Sequence, residues 1–595
     1  MGKSRNFKTF FLLTVLILTM VTVAACSKNT NTPAEEEKPN NEPVASANNA
    51  EGTTEVDYSK LPTANLKMTD RWLVVENQDK DPLKAELEKR LNIKLKFESP
   101  KEPGYNQALT MMLADGEMTD IVNDGYFLND FTMKAFKEDM LTDMGAIVAK
   151  EPERYKTLNK MFNDPLWKFT NKFMFGDENK NYVMWDFWGL VSPPAGMAMY
   201  NGALINEVNG GKTPTTYDEF IAYLYNVKKA KPDVTPLSGR IDAGNNLWIM
   251  FSSLFFRTHG VDPYSIEDWN GDAKYEETAT SEDAKNVWKE IAKLYADGII
   301  EKDFLTRGSD RIPEAVGNFA NGKYAVFLSN SPGAYGIGAD WFVQEWKKVN
   351  PNAELGKDLM VDTQPITGPK GSANYLLPEV AIAEAATSIY VDSDAPDRAL
   401  DVIDYIMSNE GQNLKWYGIQ GVHYDQIKED GTVEGFNYEK FRDEVTQIYM
   451  PGEDRQEWAP FSNLEKQMYY QIDSALDLMD AIKKGRSFGM EAAAKNNPTL
   501  AKYGEAYMAA AKLQPIYEVF AEKIWSTDEN LSTIKAKVKQ VQDTWYMKFI
   551  VGGPEFVESS WSKFVTELQD AGIQQLIDAK NEQAAKLKVD FENLG

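Results

Sequence analysis

Apolar positions in the first part of the chain come as short runs separated by helical stripes. Trp72-Leu73-Val74-Val75, residues 93–97 and Ile121-Val122 are apolar or alternating, and residues 83–91 and 105–114 between them have helical character. Strands separated by helices predict βαβ units and a parallel sheet, so this part reads as an α/β lobe. Further on, Thr216 with Glu219 three residues later forms a capping box, and Phe220, Tyr223, Leu224 and Val227 follow on one stripe. Ala284, Val287, Trp288, Ile291 and Leu294 make a second stripe, started by Ser281 and stopped by Gly298. Ala399, Val402, Ile403 and Ile406 make a third, opened by Pro396 and closed by Gly411; Trp561, Phe564, Val565 and Leu568 make a fourth. Residues 324–328 and 380–383 are strand-like, whereas helical patterns dominate from about Asp425 onward. No fixed-period repeat is present.

The N-terminal pattern is of another kind. Lys3, Arg5 and Lys8 precede an uncharged, mostly apolar stretch of 17 residues, 9–25, and Val23-Ala24-Ala25 stands before Cys26, the one cysteine of the chain. The arrangement resembles a bacterial lipobox, which implies that the Cys26 thiol receives a lipid and that residues 1–25 are a signal peptide. A plain signal peptide or a retained anchor is the alternative, although the stretch is shorter than the roughly 20 residues of a spanning helix. Residues 27–59 are rich in Asn, Pro, Glu, Thr and Ala and nearly devoid of large apolar side chains. Such a segment cannot offset its ordering entropy by burial, so residues 26–60 read as a lipidated cysteine and a disordered tether.

The formal charge of −26, more negative still without Lys3, Arg5 and Lys8, repels phosphate backbones and anionic lipid heads. Nucleic acid is therefore not an expected partner. With Cys26 acylated there is no thiol for a disulfide or a zinc site, and His259 and His423 show no metal-ligand spacing. HExxH does not occur, and no catalytic residue, metal or cofactor is expected.

Five strings resemble those of the family 1 extracellular solute-binding proteins of ABC importers. They are Ala114-Asp115-Gly116-Glu117-Met118-Thr119-Asp120-Ile121, with Thr119 where proline is usual, Thr213-Pro214-Thr215-Thr216-Tyr217-Asp218-Glu219-Phe220, and Phe319-Ala320-Asn321-Gly322-Lys323-Tyr324-Ala325-Val326. Leu294-Tyr295-Ala296-Asp297-Gly298-Ile299-Ile300 and Tyr417-Gly418-Ile419-Gln420-Gly421-Val422-His423-Tyr424 are similar to strings of the oligosaccharide-type subgroup. The resemblance implies a two-lobe periplasmic-binding-protein-like α/β fold with hinge crossings and a largely helical C-terminal region. One lobe would take 61–197 plus 376–420 and the other 198–375 plus 421–595. The crossings are expected near residues 198–201, near 375–380 and soon after Gly418.

A cleft for sugars needs flat aromatic platforms and planar hydrogen-bonding groups. Tyr182-Val183-Met184-Trp185-Asp186-Phe187-Trp188 places Trp185 and Trp188 before the first expected crossing, where they either face ligand or pack into the lobe core. Asn245 and Trp248 lie in a loop entering a helix, in the region where the family commonly places cleft residues; a helix cap with a buried tryptophan is the other reading. Asp124 and Tyr126 follow a strand, at the end where open sheets bind ligands, although Asp124-Gly125 also suits a plain turn. Tyr335 and Trp416 complete the candidates. Asp177-x-Asn179-x-Asn181 and Asp268-x-Asn270-x-Asp272 follow calcium-loop spacing but lack the glycine at the sixth place and the acid at the twelfth, so turns are expected instead.

The implied protein is a monomeric, non-enzymatic lipoprotein on the outer face of the plasma membrane. It would hand an oligosaccharide to ABC permease subunits. A lipid-anchored glycoside hydrolase, which needs only two spaced carboxylates, and a sensor or peptide-binding protein of the same fold are the alternatives.

Overall fold

The computed structural model describes residues 56–444 and 520–592, apart from 71–74, 76–77, 101–103, 125–130, 189–196, 240–250, 269–273, 305–311, 330–345, 347, 355, 363, 365, 373–380, 429–432, 438–439 and 442–443. In chain order the strands are β1 (Ala64–Thr69), β2 (Ile93–Phe97), β3 (Ile121–Asn123), β4 (Val183–Trp188), β5 (Met197–Asn201), β6 (Thr235–Gly239), β7 (Ile266–Glu267), β8 (Glu276–Glu277), β9 (Tyr324–Ser329), β10 (Leu359–Val361), β11 (Thr367–Gly368), β12 (Gly371–Ser372), β13 (Ala381–Ile389), β14 (Gln426–Ile427) and β15 (Val433–Glu434).

Two sheets carry the architecture. The first has the order β2-β1-β3-β13-β4 and the second β10-β5-β9-β6. Pairing is parallel for β1 with β2 and β3, whereas β13 runs antiparallel to both β3 and β4. In the second sheet only β6 and β9 are parallel. The wholly parallel sheet read from the strand and helix alternation is therefore replaced by two mixed sheets, because strands distant in sequence insert between or beside the βαβ strands.

Local chemistry explains most elements. In β2 the sequence Ile-Lys-Leu-Lys-Phe buries every second residue and leaves Lys94 and Lys96 exposed, which suits a strand at a sheet edge. The β1 strand is carried by Leu66 and Met68, and the apolar run 71–74, the expected first strand, lies outside the described residues. Asp81 caps the helix Pro82–Leu91 through the amides of Leu83 and Lys84. The capping box closes in both directions: the Glu219 amide donates to Thr216 Oγ1 at 3.3 Å, and Glu219 Oε2 accepts from the Thr216 amide at 3.2 Å.

One expected boundary moves. The helix opened by Pro396 ends at Met407, and a second helix, Asn409–Tyr417, starts from the Ser408 hydroxyl, which accepts the Gly411 amide at 3.1 Å. Gly411 is thus the third residue of a new helix. A Cβ there would lie 1.9 Å from the Tyr405 carbonyl oxygen, so the glycine serves close approach of the two helices.

The C-terminal helices Glu529–Gly552 and Pro554–Ala571 pack on the helix Glu282–Ala296, and the last helix, Ile573–Glu592, packs on those two. Trp288 stacks on Tyr546 at 4.4 Å, and the Tyr546 hydroxyl donates to the Pro263 carbonyl at 2.7 Å. Just before them Phe520 reaches the other way and sets its ring against Phe169 and Phe173 of the helix Pro165–Phe175. The fold is a mixed α/β arrangement of periplasmic-binding-protein-like type with a helical C-terminal region.

Candidate functional site

The chain changes sheet twice. It leaves the first sheet at β4 and enters the second at β5, through residues 189–196; it returns after β12 to enter the first sheet at β13, through 373–380. Residues 198–201, the expected first crossing, already belong to β5 and pair with both β9 and β10. After Gly418 the chain stays beside the helix it has just left. Tyr417 meets Tyr424 and Phe436 edge-on at 6.1 and 6.0 Å, and Asp81 lies within electrostatic reach of His423.

The described side chains among the candidates turn inward. Trp185 is 3% exposed, stacks on Phe175 at 5.3 Å and donates its indole N–H to Asn171 Oδ1 at 2.8 Å. It is a core residue, because its one polar atom finds its partner inside the sheet-helix layer. Asp124 is fully buried: one carboxylate oxygen accepts the Ala386 amide at 2.9 Å and the other the Thr132 hydroxyl at 2.5 Å. Its carboxylate holds strands together. Trp188 pairs with Ala381 in the β4–β13 ladder and Trp416 lies in the helix Asn409–Tyr417, both described in their backbone. Tyr126, Asn245, Trp248, Tyr335 and Cys26 lie outside the described residues.

At the C-terminal ends of β1, β2 and β3, polar groups interlock. Thr69 Oγ1 donates to the Glu98 carbonyl at 2.7 Å, the Asp70 amide donates to Ser99 Oγ at 2.9 Å, and Tyr105 donates to the Asn123 carbonyl at 2.5 Å. Asn123 Nδ2 reaches Thr387 Oγ1 at 2.9 Å on the returning strand β13. Three residues escaped the sequence reading: Thr132, which holds Asp124 after β3, and Asp362 with Tyr200 in the second sheet. Asp362 is fully buried and accepts the Ala198 amide at 3.2 Å and the Tyr200 hydroxyl at 2.7 Å. The signal that singled out Asp124, an aspartate directly after a strand, was hidden for Asp362 because the strand before it, Leu359–Val361, is too short to read.

Other polar clusters have structural employment. A pocket of about 300 Å³ is lined by Leu61, Pro62, Thr63, Ala64, Ala395, Asp397 and Arg398, at the N-terminal start of β1 and so at the opposite end from a ligand crevice. Beneath it Asp401 receives Arg154 at 2.7 Å and Arg398 at 2.8 Å; burial raises its carboxyl and the two guanidinium groups oppose that rise. His423 is fully buried, and its Nδ1 accepts the Ile419 amide at 2.9 Å. Burial lowers its imidazole. Asp177 Oδ1 accepts the Asn179 amide at 2.9 Å, while the Asn181 amide oxygen is taken by Asn171 Nδ2 at 2.6 Å, so this loop is closed by its own hydrogen bonds. Among the described residues no group of three or more His, Cys, Asp or Glu side chains converges on a metal position.

Comparison with known proteins agrees with this architecture. The family model described as bacterial extracellular solute-binding protein matches residues 75–413, more than half of the chain. The polygalacturonan/rhamnogalacturonan-binding protein YtcQ of Bacillus subtilis (strain 168) is 24% identical over 545 residues, covering 89% of this chain and 93% of that protein. Among solved structures, the HMO binding ABC-transporter associated solute binding protein of Bifidobacterium longum infantis ATCC 15697 superposes with a TM-score of 0.59 at 15% identity, covering 88% of this chain and 98% of that one. The alginate-binding protein AlgQ2, solved without calcium ion, gives 0.58 at 15% identity over 89% of this chain and 100% of that one. At such identities the structural likeness speaks for the fold. The family is one of binding proteins rather than enzymes, and this chain belongs to it: it is a bacterial extracellular solute-binding protein.

Proposed function

We propose that this protein captures an oligosaccharide between two lobes, each built on one of the sheets, and delivers it to the permease subunits of an ABC importer. The observation that carries the reading is the family match over residues 75–413 on a chain that passes twice between two sheets. One lobe would take 61–197 plus 376–420 with the stretch after Gly418 that packs on it, the other 198–375 plus the C-terminal helices, and Cys26 would tether them to the outer face of the membrane through a lipid. Trp248, Trp188, Asn245, Tyr126, Tyr335 and Trp416 remain the proposed ligand contacts. Closure follows from differential affinity: a solute that touches both lobes stabilises the closed arrangement and leaves the open one untouched.

The carbohydrate assignment draws on the relative that binds polygalacturonan and rhamnogalacturonan, which makes oligogalacturonides the first probes and neutral plant and host glycans the comparison. Calorimetry and thermal shift against that panel test the reading. One class of glycan raises the melting temperature, with the logarithm of its concentration once that exceeds Kd, and the sugar is recovered intact. New reducing ends after incubation would instead identify a hydrolase, and a panel without any thermal shift would remove the carbohydrate assignment.

A further inference from the structure

The loop that leads into β4 has calcium-type spacing at Asp177-x-Asn179-x-Asn181, and the structure shows how those groups are used. A calcium ion takes roughly six to eight oxygens, with the side chains of the first, third and fifth places turned to one point. Here Asp177 Oδ1 accepts the Asn179 amide at 2.9 Å. Asn181 is 3% exposed; its Oδ1 accepts Asn171 Nδ2 at 2.6 Å and its Nδ2 donates to the Asn179 carbonyl at 3.4 Å. Tyr182, at the sixth place, packs its ring against Phe136 and Phe175 at 5.1 and 5.4 Å. The three side chains of the spacing are held apart by these contacts, so the loop does not fit the ion.

The fourth place is Lys180. Its Nζ donates at 2.8 Å to Oδ2 of Asp143, a residue from another segment of the chain. The other oxygen of the same carboxylate accepts two main-chain donors, the amides of Ala146 and Asn181, both at 3.3 Å. In return the Met144 amide donates to the Asn181 carbonyl at 2.8 Å. Asp143 thus fastens the loop to the start of the helix Met144–Val148, and the two lie so close that a Cβ on Gly145 would stand 2.6 Å from Asn181 Nδ2. The hydrogen bond and charge of Asp143 hold the Lys180 ammonium above its ordinary range, with a smaller push from Tyr182 and Asp177. On the inner side Asn171 passes the arrangement to β4, since its Oδ1 accepts the indole N–H of Trp185.

We infer that Lys180 is the resident cation of this loop: its ammonium neutralises the carboxylate that gathers the loop and the helix start, and this corner of the first sheet therefore needs no calcium from outside. A cation carried on the chain is present at a fixed effective concentration, and a chelator cannot remove it. Charge-assisted acceptance by Asp143 then serves the two main-chain donors as well as the lysine.

The test is amide hydrogen exchange, read by mass spectrometry on peptides covering 143–150 and 177–185 of the full chain. Each chain is measured in millimolar calcium chloride and in EDTA, with ionic strength matched by sodium chloride. The parent is expected to exchange alike in both buffers. Lys180→Ala is expected to exchange about threefold faster at Ala146 and Asn181, the scale of one partly exposed ion pair, whereas Lys180→Arg, which keeps the charge, stays near the parent. Lys172→Ala removes an exposed lysine of the helix Pro165–Phe175 and serves as the control for net charge, with no change expected in these peptides. Slower exchange of the parent's two peptides in calcium overturns the inference, because the loop then takes up an ion despite Lys180. Exchange in Lys180→Ala equal to that in Lys172→Ala, or exchange in Lys180→Arg as fast as in Lys180→Ala, overturns it too, because the charge at this position then holds nothing.

Discussion

Phe520 and Glu522 stand two positions apart and are tied to different parts of the molecule. The Phe520 ring meets Phe169 edge-on at 5.1 Å, beside the first sheet, whereas Glu522 receives the ammonium of Lys580, a buried lysine of the last helix that also donates to the Ile266 carbonyl. A single turn of chain therefore joins the C-terminal helices to the helix Pro165–Phe175. Phe520→Ala empties a closed socket and is expected to cost about 3–5 kcal/mol, read as a lower urea midpoint. Lys137→Ala, which removes the nearby Lys137–Glu529 pair of 2.8 Å, is expected to change stability by less than about 1 kcal/mol because both partners are solvated.

Trp185 and Trp248 separate packing from binding. Trp185→Phe preserves the ring stacked on Phe175 but leaves Asn171 Oδ1 without its indole donor, an expected loss of about 1–3 kcal/mol in stability with sugar affinity unchanged. Trp248→Ala is expected to do the reverse, weakening binding by about 2 kcal/mol, as for an aromatic anchor, with little change in the urea midpoint. Calorimetry and equilibrium unfolding on both variants check the pair, and an affinity loss in Trp185→Phe would return that residue to the site.

Burial pushes the Asp404 carboxyl up to about 6, against the Leu158 amide that donates to it at 2.8 Å. Its ordinary value is about 3.9, so between about pH 4 and 6 the folded chain holds a proton that the unfolded chain has released. Stability from this group is greatest below that interval, falls as pH rises through it and is level above. Asp404→Asn is accordingly expected to gain about 1–2 kcal/mol at pH 8 and nothing at pH 3.5. Urea unfolding at the two pH values measures the difference, and an equal gain at both would contradict the burial argument.

Two helical glycines predict opposite outcomes for the same substitution. Gly317, within the helix Ile312–Ala320, has no atom within 4 Å of the place an alanine methyl would take, so Gly317→Ala is expected to stabilise by about 0.5–1 kcal/mol through helix propensity. Gly411→Ala would drive its methyl against the Tyr405 carbonyl at 1.9 Å and separate two packed helices, a loss of about 2 kcal/mol or more. Melting temperatures of the two variants should move in opposite directions.

The sequence was most legible where a stripe or a cap acts locally. Thr216, Ser281 and the stripe through Trp561 and Phe564 all stand in the helices expected of them. What it concealed is set by partners remote along the chain. The short strand at 359–361 has too few residues to show a period and exists because β5 pairs with it. An aspartate after a strand reads alike as ligand contact, turn or clamp, and only the arrival of Ala386 or Ala198 beside the carboxylate decides. Trp185 posed the same difficulty, since a large ring on a strand is equally suited to a cleft or a core until Asn171 supplies its partner.

The pairing of Asp124 with Ala386 spans 262 positions. During synthesis β3 is complete long before its neighbour β13 exists, and until then the nascent sheet presents an open row of main-chain donors and acceptors. Such an edge recruits foreign strands as readily as its own, and contacts this distant close slowly. The chain thus carries a waiting period in its topology, and assembly of its N-terminal third is governed by when residues 381–389 arrive.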